Sequence, residues 1–381
     1  MKQTILAILI AGGTLAAQQV TEDPTSNVPP STDPVVTAAL AAGPAIFGPR
    51  AFAFQQPSNA AQRSSAQATQ ASESARPRTE GSMIGYIENA IVGSHIRFRT
   101  EAGFGGEFPD RAEFFYAKCG CYQGLAGTGL PAYDPNAPGP APGVLKTFNF
   151  QQILLEGEFA FGSRFSLFAE IPFRWLQPET FVAGTGSFGN QGGLSDVRAG
   201  FKAALLASSS RYLTFQFKSY FPSGDASQGL GTNHYSIEPS ILYYQRLPDR
   251  WAVESEFGVW HPIGGSEGVA TVTNPNPQKF ASDVIFYGIG PSYKLIDTER
   301  VRFGPVLEVV GWNVRGGWQT VVASLDEIAD PVGGTNIVNV KIGGRLGIGN
   351  NHSFYLGYGR GVTDAVWYKN TVRFEYRYSF R

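Results

Sequence analysis

The sequence predicts an all-β chain: an antiparallel, up-and-down transmembrane β-barrel of about twelve strands, preceded by a disordered N-terminal segment. Three observations carry that reading. Strand-length segments follow one another from residue 93 to the C-terminus, most of them alternating apolar and polar side chains. Their connectors alternate between tight turns and long loops rich in Gly, Pro and Asn, so length is sorted by rim. The last segment sets Val372, Phe374, Tyr376, Tyr378 and Phe380 on one parity and Lys369, Arg373, Glu375 and Arg377 on the other. Side chains alternate across a strand, so an aromatic face there backs a charged one.

From the N-terminus, Lys2 precedes the apolar run Ile5 to Leu15 and the small residues Ala16 and Ala17, the layout of a cleaved secretory signal over 1–17. The run is too short for a membrane-spanning helix, and no later stretch approaches the roughly 18 apolar residues one requires. Any entry into a membrane is therefore by strands. Residues 18–81 are rich in Pro, Ser, Thr, Ala and Gln, with Phe47, Phe52 and Phe54 almost the only aromatics. Such a stretch cannot offset its ordering entropy and reads as a disordered tether. Residues 82–92 carry Ile84, Ile87 and Ile91 at helical spacing. They read either as a short helix against or partly inside the barrel mouth, or as a lead-in to the first strand.

The barrel is expected over 93–381, with strands near 93–104, 147–161, 165–176, 193–207, 212–222, 233–246, 251–262, 283–296, 301–313, 336–348, 353–361 and 367–381. Gly162–Arg164, Ser208–Arg211, Leu247–Arg250, Asp297–Arg300 and Gly349–His352 are the tight turns. The connectors 105–146, 177–192, 223–232, 263–282 and 314–335 are long, and only 362–366 is short. An even strand count puts both termini on one side, the periplasmic one, and lets the last strand close on the first. The stretch 111–117, with Phe114, Phe115 and Tyr116, also looks strand-like and is assigned to the first long loop, because counting it makes the total odd. Pro172, Pro239, Pro291 and Pro305 fall inside strands and remove ladder donors, which places them at bulges or strand ends near a rim. Cys119 and Cys121 flank one glycine in the first long loop. They give a small strained ring or two free thiols, not a disulfide framework.

Parity then assigns the faces. Apolar sets such as Phe165, Leu167, Ala169, Ile171 and Phe173, or Leu213, Phe215 and Phe217, face lipid. The opposite parity gives the lumen-lining candidates Arg97, Arg99 and Glu101 on the first strand, and Glu156, Glu158, Glu170 and Arg174 on the next two. Asp196, Arg198, Lys202, Lys218, Glu238, Arg246, Glu254 and Glu256 continue the set. Arg302, Glu308, Lys341, Arg345, Arg373, Glu375 and Arg377 complete it. Their mixed signs read either as a salt-bridge mesh that satisfies a polar interior or as charged rings that select solutes. Eight strands give a filled barrel and sixteen an open one, so twelve leaves the lumen open or plugged.

With 30 basic and 31 acidic residues, the chain lacks the basic excess of a nucleic-acid binder. No catalytic, metal or cofactor site is expected. His234 and Ser236 have the two-residue spacing of the twelve-stranded outer-membrane phospholipases, but their parity points into the lumen and the strand 251–262 holds no Asn to orient the base. His95, His261 and His352 stand apart from other ligands in the sequence, and the loop Ser223–Asn233 lacks the lysine of a phosphate-binding loop.

The run Tyr212–Arg250, "YLTFQFKSYFPSGDASQGLGTNHYSIEPSILYYQRLPDR", and the later "YLGYGRGVTDAVWYKNTVRFEYRYSF" resemble the outer-membrane proteins grouped as transporters of a phenol-degradation pathway, the MetA type. The pattern extends over most of 90–381. The resemblance implies a barrel in the outer membrane that passes small solutes, and it carries over no functional residue. Partners would be outer-membrane lipid, a small-molecule solute if the lumen is open, and the barrel-assembly machinery that receives the C-terminal strand. Arg381 departs from the usual terminal aromatic of such strands. The alternatives are a closed structural or adhesive barrel, and then a soluble secreted β-protein.

Overall fold

The structure, a computed structural model, describes residues 81–107, 140, 145–181, 183–184, 186–264, 281–319 and 330–380. Cys119, Cys121, the stretch 111–117 and the expected signal and tether lie outside the described residues. The strands are β1 (Ser94–Gly106), β2 (Leu145–Ala160), β3 (Phe165–Phe181), β4 (Gln191–Leu194), β5 (Val197–Ala207), β6 (Arg211–Phe221), β7 (Tyr235–Arg246) and β8 (Trp251–Ile263). They continue as β9 (Val284–Tyr293), β10 (Ile296–Asp297), β11 (Val301–Val314), β12 (Trp318–Gln319), β13 (Asp330–Pro331), β14 (Asn336–Ile348), β15 (His352–Gly361) and β16 (Asn370–Phe380).

Twelve of these are long and pair antiparallel with their neighbours in order; β4, β10, β12 and β13 are short additions. β16 pairs β1 from Ser94↔Phe380 to Phe104↔Asn370, which closes the wall into a twelve-stranded barrel. Closure leaves no unpaired edge, the condition for strands in a solvent that cannot hydrogen-bond. The tight turns lie on one rim, using left-handed residues where the chain reverses: Gly162 at φ 85°, Gly349 at φ 62°, and Asp249 and Arg250 at φ 56° and 70°. On the long-loop rim, Asp196 pins the connector after β6 by accepting from Gly224 N, Thr232 N and Thr232 Oγ1 at 3.1, 2.9 and 2.9 Å. In that connector Asp225 caps a single 3-10 turn, Ala226–Gln228, and hydrogen bonds from the Ser227 side chain and backbone hold its exposed carboxyl below the usual range.

The four strand prolines sit where a ladder is interrupted, within the wall rather than only near its rims. Pro239 lies between the pairs Ile237↔His261 and Ser240↔Gly258, and Pro291 between Ile289↔Val309 and Ser292↔Val306. The register is the same on both sides of each gap, so these are local openings. Pro172 faces the step where β3 changes partner from β5 to β4, and Pro305 the step between β9 and β10 along β11. Each proline keeps its other neighbour, so the missing donor falls on one ladder only.

The outward face is apolar. Along β3, Phe165, Leu167, Ile171, Phe173 and Trp175 are exposed while Ser166, Phe168, Glu170, Arg174 and Leu176 are buried. Outer aromatics gather toward both rims. Phe161, Phe165 and Phe201 form a chain of ring contacts on the turn side, with Trp251 against Tyr293 and His352 against Tyr378. Phe181 meets Phe188, and Phe221 meets Tyr235, on the loop side. An apolar band between aromatic girdles is the surface of an outer-membrane barrel.

That surface sets a depth-dependent expectation. Leu155→Arg, mid-strand on the outer face, should lower folding stability by about 2–4 kcal/mol, whereas Leu247→Arg in a turn should cost about 0–1 kcal/mol. Denaturant titration of both variants in phospholipid vesicles measures the difference; equal costs would contradict the assigned face.

Candidate functional site: the charged lumen and its plug

The interior is filled from one end by the chain's own N-terminal approach to β1. Residues 82–92 are extended and bent, not helical, and run inside the barrel. Met83, Ile84, Ile87, Ala90, Ile91 and Val92 are all buried. Gly81 lies against Ile91, so the segment enters and leaves at the turn rim and forms a loop with its apex at Gly85–Glu88. Helical spacing of the isoleucines gives no helix because the backbone is bonded to the wall instead. Glu308 accepts from three successive amides: Gly85 N at 3.0 Å to Oε1, then Tyr86 N at 2.9 Å and Ile87 N at 2.8 Å to Oε2. Met83 N donates to Glu254 at 3.1 Å and Glu88 N to Glu256 at 3.0 Å. The carbonyls are met in the same way. Arg345 donates to Met83 O and Ile84 O, Arg373 to Gly85 O, and Thr214 to Ala90 O. Gly85 suits this path, since a Cβ there would overlap the Tyr355 ring and force it to move.

Around the plug the wall charges pair with each other across staves. Glu375 takes Arg345 at 2.8 Å and Arg377 at 3.1 Å, with Arg99 and Arg97 at 3.4 and 3.7 Å. Arg97 also pairs Glu156 and lies 3.6 Å from Glu170, which holds Arg198 at 3.3 Å. Lys202 pairs Glu158 at 2.9 Å, Arg373 pairs Glu101 at 2.7 Å, and Lys218 bridges Glu238 at 3.3 Å and the plug's Glu88 at 3.4 Å. Glu254, Glu256 and Glu308 differ. Among the described residues none of them has a cationic nitrogen within 4.0 Å, and each accepts from at least one plug amide.

Most of the inward-parity residues are buried, as Arg97, Glu170, Glu254, Arg345 and Glu375 are. Glu101 and Glu256 are half-buried beside the cavity described below. Two placements differ from the parity expectation. Arg246 is exposed at the turn rim, because it is the last residue of β7 and lies past the interior. Asp196 is in the connection between β4 and β5 and braces a loop. His95, which stands apart in sequence, lies with Glu156 and Glu158, their ligand atoms all within 4.8 Å. Arg97 already pairs Glu156, and Lys202 and Ser166 already bond Glu158, so the group is an ion-pair knot. His234 is buried with Nδ1 2.9 Å from Thr232 O, away from any orienting amide on β8.

Above the plug apex, toward the loop rim, lies a cavity of about 190 Å³. Tyr86 and Glu88 form its floor, and Phe150, Trp260, Trp312 and Tyr368 wall it. A collar of buried apolar residues surrounds the loop end of the lumen. Lys341 reaches the cavity with Nζ 3.0 Å from Tyr368 Oη and 3.8 Å from the centre of the Tyr86 ring. Arg174, also on the cavity, donates to Gln152 at 2.5 and 3.1 Å.

Two outcomes follow from this wiring. Glu308→Ala should speed hydrogen exchange of the Gly85–Ile87 amides by roughly 10–100-fold, since hydrogen bonds to a charged acceptor are worth about 1.5–3 kcal/mol, while β1 and β16 amides stay protected. Mass spectrometry of the 81–93 peptide reads it. Glu375→Ala, which strands several guanidinium groups, should destabilise the barrel by about 3–5 kcal/mol in denaturant titration.

Comparison with known proteins places part of this chain. No curated protein matches it. Among solved structures, an outer membrane channel from Pseudomonas putida F1 is similar at 13% identity and a TM-score of 0.47, covering 78% of this chain and 99% of that one. The β-domain of a Bordetella autotransporter is similar at 14% identity and 0.43, covering 76% and 100%. The KdgM porin in complex with disordered oligogalacturonate is similar at 10% identity and 0.34, covering 75% and 99%. These are distant likenesses in outline. Residues 144–260, which contain β2 through most of β8, match the family described as "Putative MetA-pathway of phenol degradation", the family that the run Tyr212–Arg250 resembles.

Proposed function

We propose that the chain sits in an outer membrane, with its turn rim and both chain termini periplasmic, and passes small solutes through the lumen past residues 81–92. The observation that carries this reading is the way the lower lumen is closed. It is filled by a loop anchored through hydrogen bonds to wall side chains, while the upper lumen holds a polar cavity that ends on that loop. A barrel that needed only to be solid has no use for a cavity lined by charge at mid-wall. Passage requires the apex, Gly85–Glu88, to shift from Glu308 and Glu256, and the groups it leaves are ones that water can solvate. The closed structural barrel is the second reading, and it is favoured by the burial of Ile84, Ile87 and Val92.

Planar-bilayer recording separates the two. The wild-type protein should give small, discrete current steps, and Glu308→Ala, which frees three plug amides, should give larger or more frequent ones by severalfold. Silence from both proteins across a range of salt concentrations would sink the transport reading and leave the closed barrel.

A further inference from the structure

We infer that the cavity above the plug is a binding subsite for a single-ring aromatic carboxylate, with Lys341 as the group that meets the carboxylate; this rests on reading the lumen as a solute path. Size comes first. An apolar cavity of about 150 Å³ admits benzene. The roughly 190 Å³ here leaves space for one ring and a small substituent. The walls come next. Phe150, Trp260, Trp312 and Tyr368 bring rings to a space lined also by Val284, Phe286 and Val310 and by charges of both signs, which suits a planar molecule with one polar end.

Charge decides the polar end. Lys341 is buried, and among the described residues no carboxylate oxygen lies within 4.0 Å of its Nζ. Its partners are the neutral Tyr368 hydroxyl and the faces of Tyr86, Trp312 and Tyr368. A lysine ammonium carries three donors, of which the described hydrogen bonds take one. Elsewhere in the lumen Arg97, Lys202 and Arg345 each have a carboxylate partner. A desolvated cation without one gains from an incoming anion what a neutral guest cannot supply, whereas Glu256, the lining carboxylate without a cation within 4.0 Å among the described residues, already accepts from Glu88 N. The floor of the subsite is Tyr86 of the plug, so an occupant touches the element that blocks the path.

Titration calorimetry on the full chain in detergent tests this without reference to current. Benzoate should bind saturably, with acetate, phenol and benzylamine at least tenfold weaker. Lys341→Gln should weaken benzoate about tenfold and leave phenol unchanged, while Lys341→Arg should keep most of the affinity. Heat-dependent gel mobility identifies folded variants, and the ligand series on the wild-type protein decides the matter even if a variant fails to fold. Absence of saturable benzoate binding, equal binding of phenol or benzylamine, or an unaltered Lys341→Gln protein would each overturn the subsite. A protein that conducts without binding benzoate overturns this inference alone; one that binds benzoate without conducting overturns only the channel reading.

Discussion

A carboxylate taken out of water has to be met by donors, and the source of those donors organises the inside of this barrel. Over much of the wall the donors are guanidinium and ammonium groups on neighbouring staves, and the result is a continuous mesh centred on Glu375, Glu156 and Arg97. On β8 and β11, Glu254, Glu256 and Glu308 have no cation within 4.0 Å among the described residues and take backbone amides of residues 83–88 instead. The plug is therefore a structural counter-group as much as an obstruction. Its own carbonyls are met by Arg345 and Arg373, cations that also belong to the mesh. Wall and plug form one electrostatic system.

The barrel was legible because its signals are periodic and redundant. Two-residue alternation, rim-sorted connectors and an even strand count each point to closure, and an error of one residue in any strand would reverse its faces. The interior loop had no such redundancy. Ile84, Ile87 and Ile91 mark three points in a short stretch, and their spacing fits a helix only if the backbone bonds to itself. A signal for the alternative lies in other strands. Inward positions on β9 are Gly288 and Gly290, which leave room for Ile87 and Ile84. Beside them stand Glu254 and Glu256, with no basic residue opposite on β7 or β9, and Glu308, whose register partner Lys341 is not among its ion-pair partners in the described residues. Unpaired acids facing glycines mark a space that something else must fill, but only after the strand order is known. The placement of His95 with Glu156 and Glu158 was illegible for the same reason, since it depends on the pairing of β1 with β2.

The lumen is also layered along its axis. Near the turn rim, Ala90, Ile91 and Val92 pack with Tyr212, Leu242 and Tyr244 in an apolar floor. The charge mesh occupies the middle, and the collar with Phe148, Trp260, Ile337 and Trp367 lies at the loop end. The order places most of the buried charges between two apolar tiers.

Because Gly81 and Ile91 lie side by side, the plug is a hairpin-like loop hung from a single rim and not a thread drawn through the pore. The topological consequence is that it can be withdrawn and returned with every inter-strand ladder intact. What holds it is a set of side-chain contacts to its backbone and the burial of its apolar residues, not a shared ladder. Position in the chain adds to this. Val92 is only two residues from the start of β1, the strand that forms the seam with β16. A displacement of the segment is thus delivered to the closing joint of the cylinder.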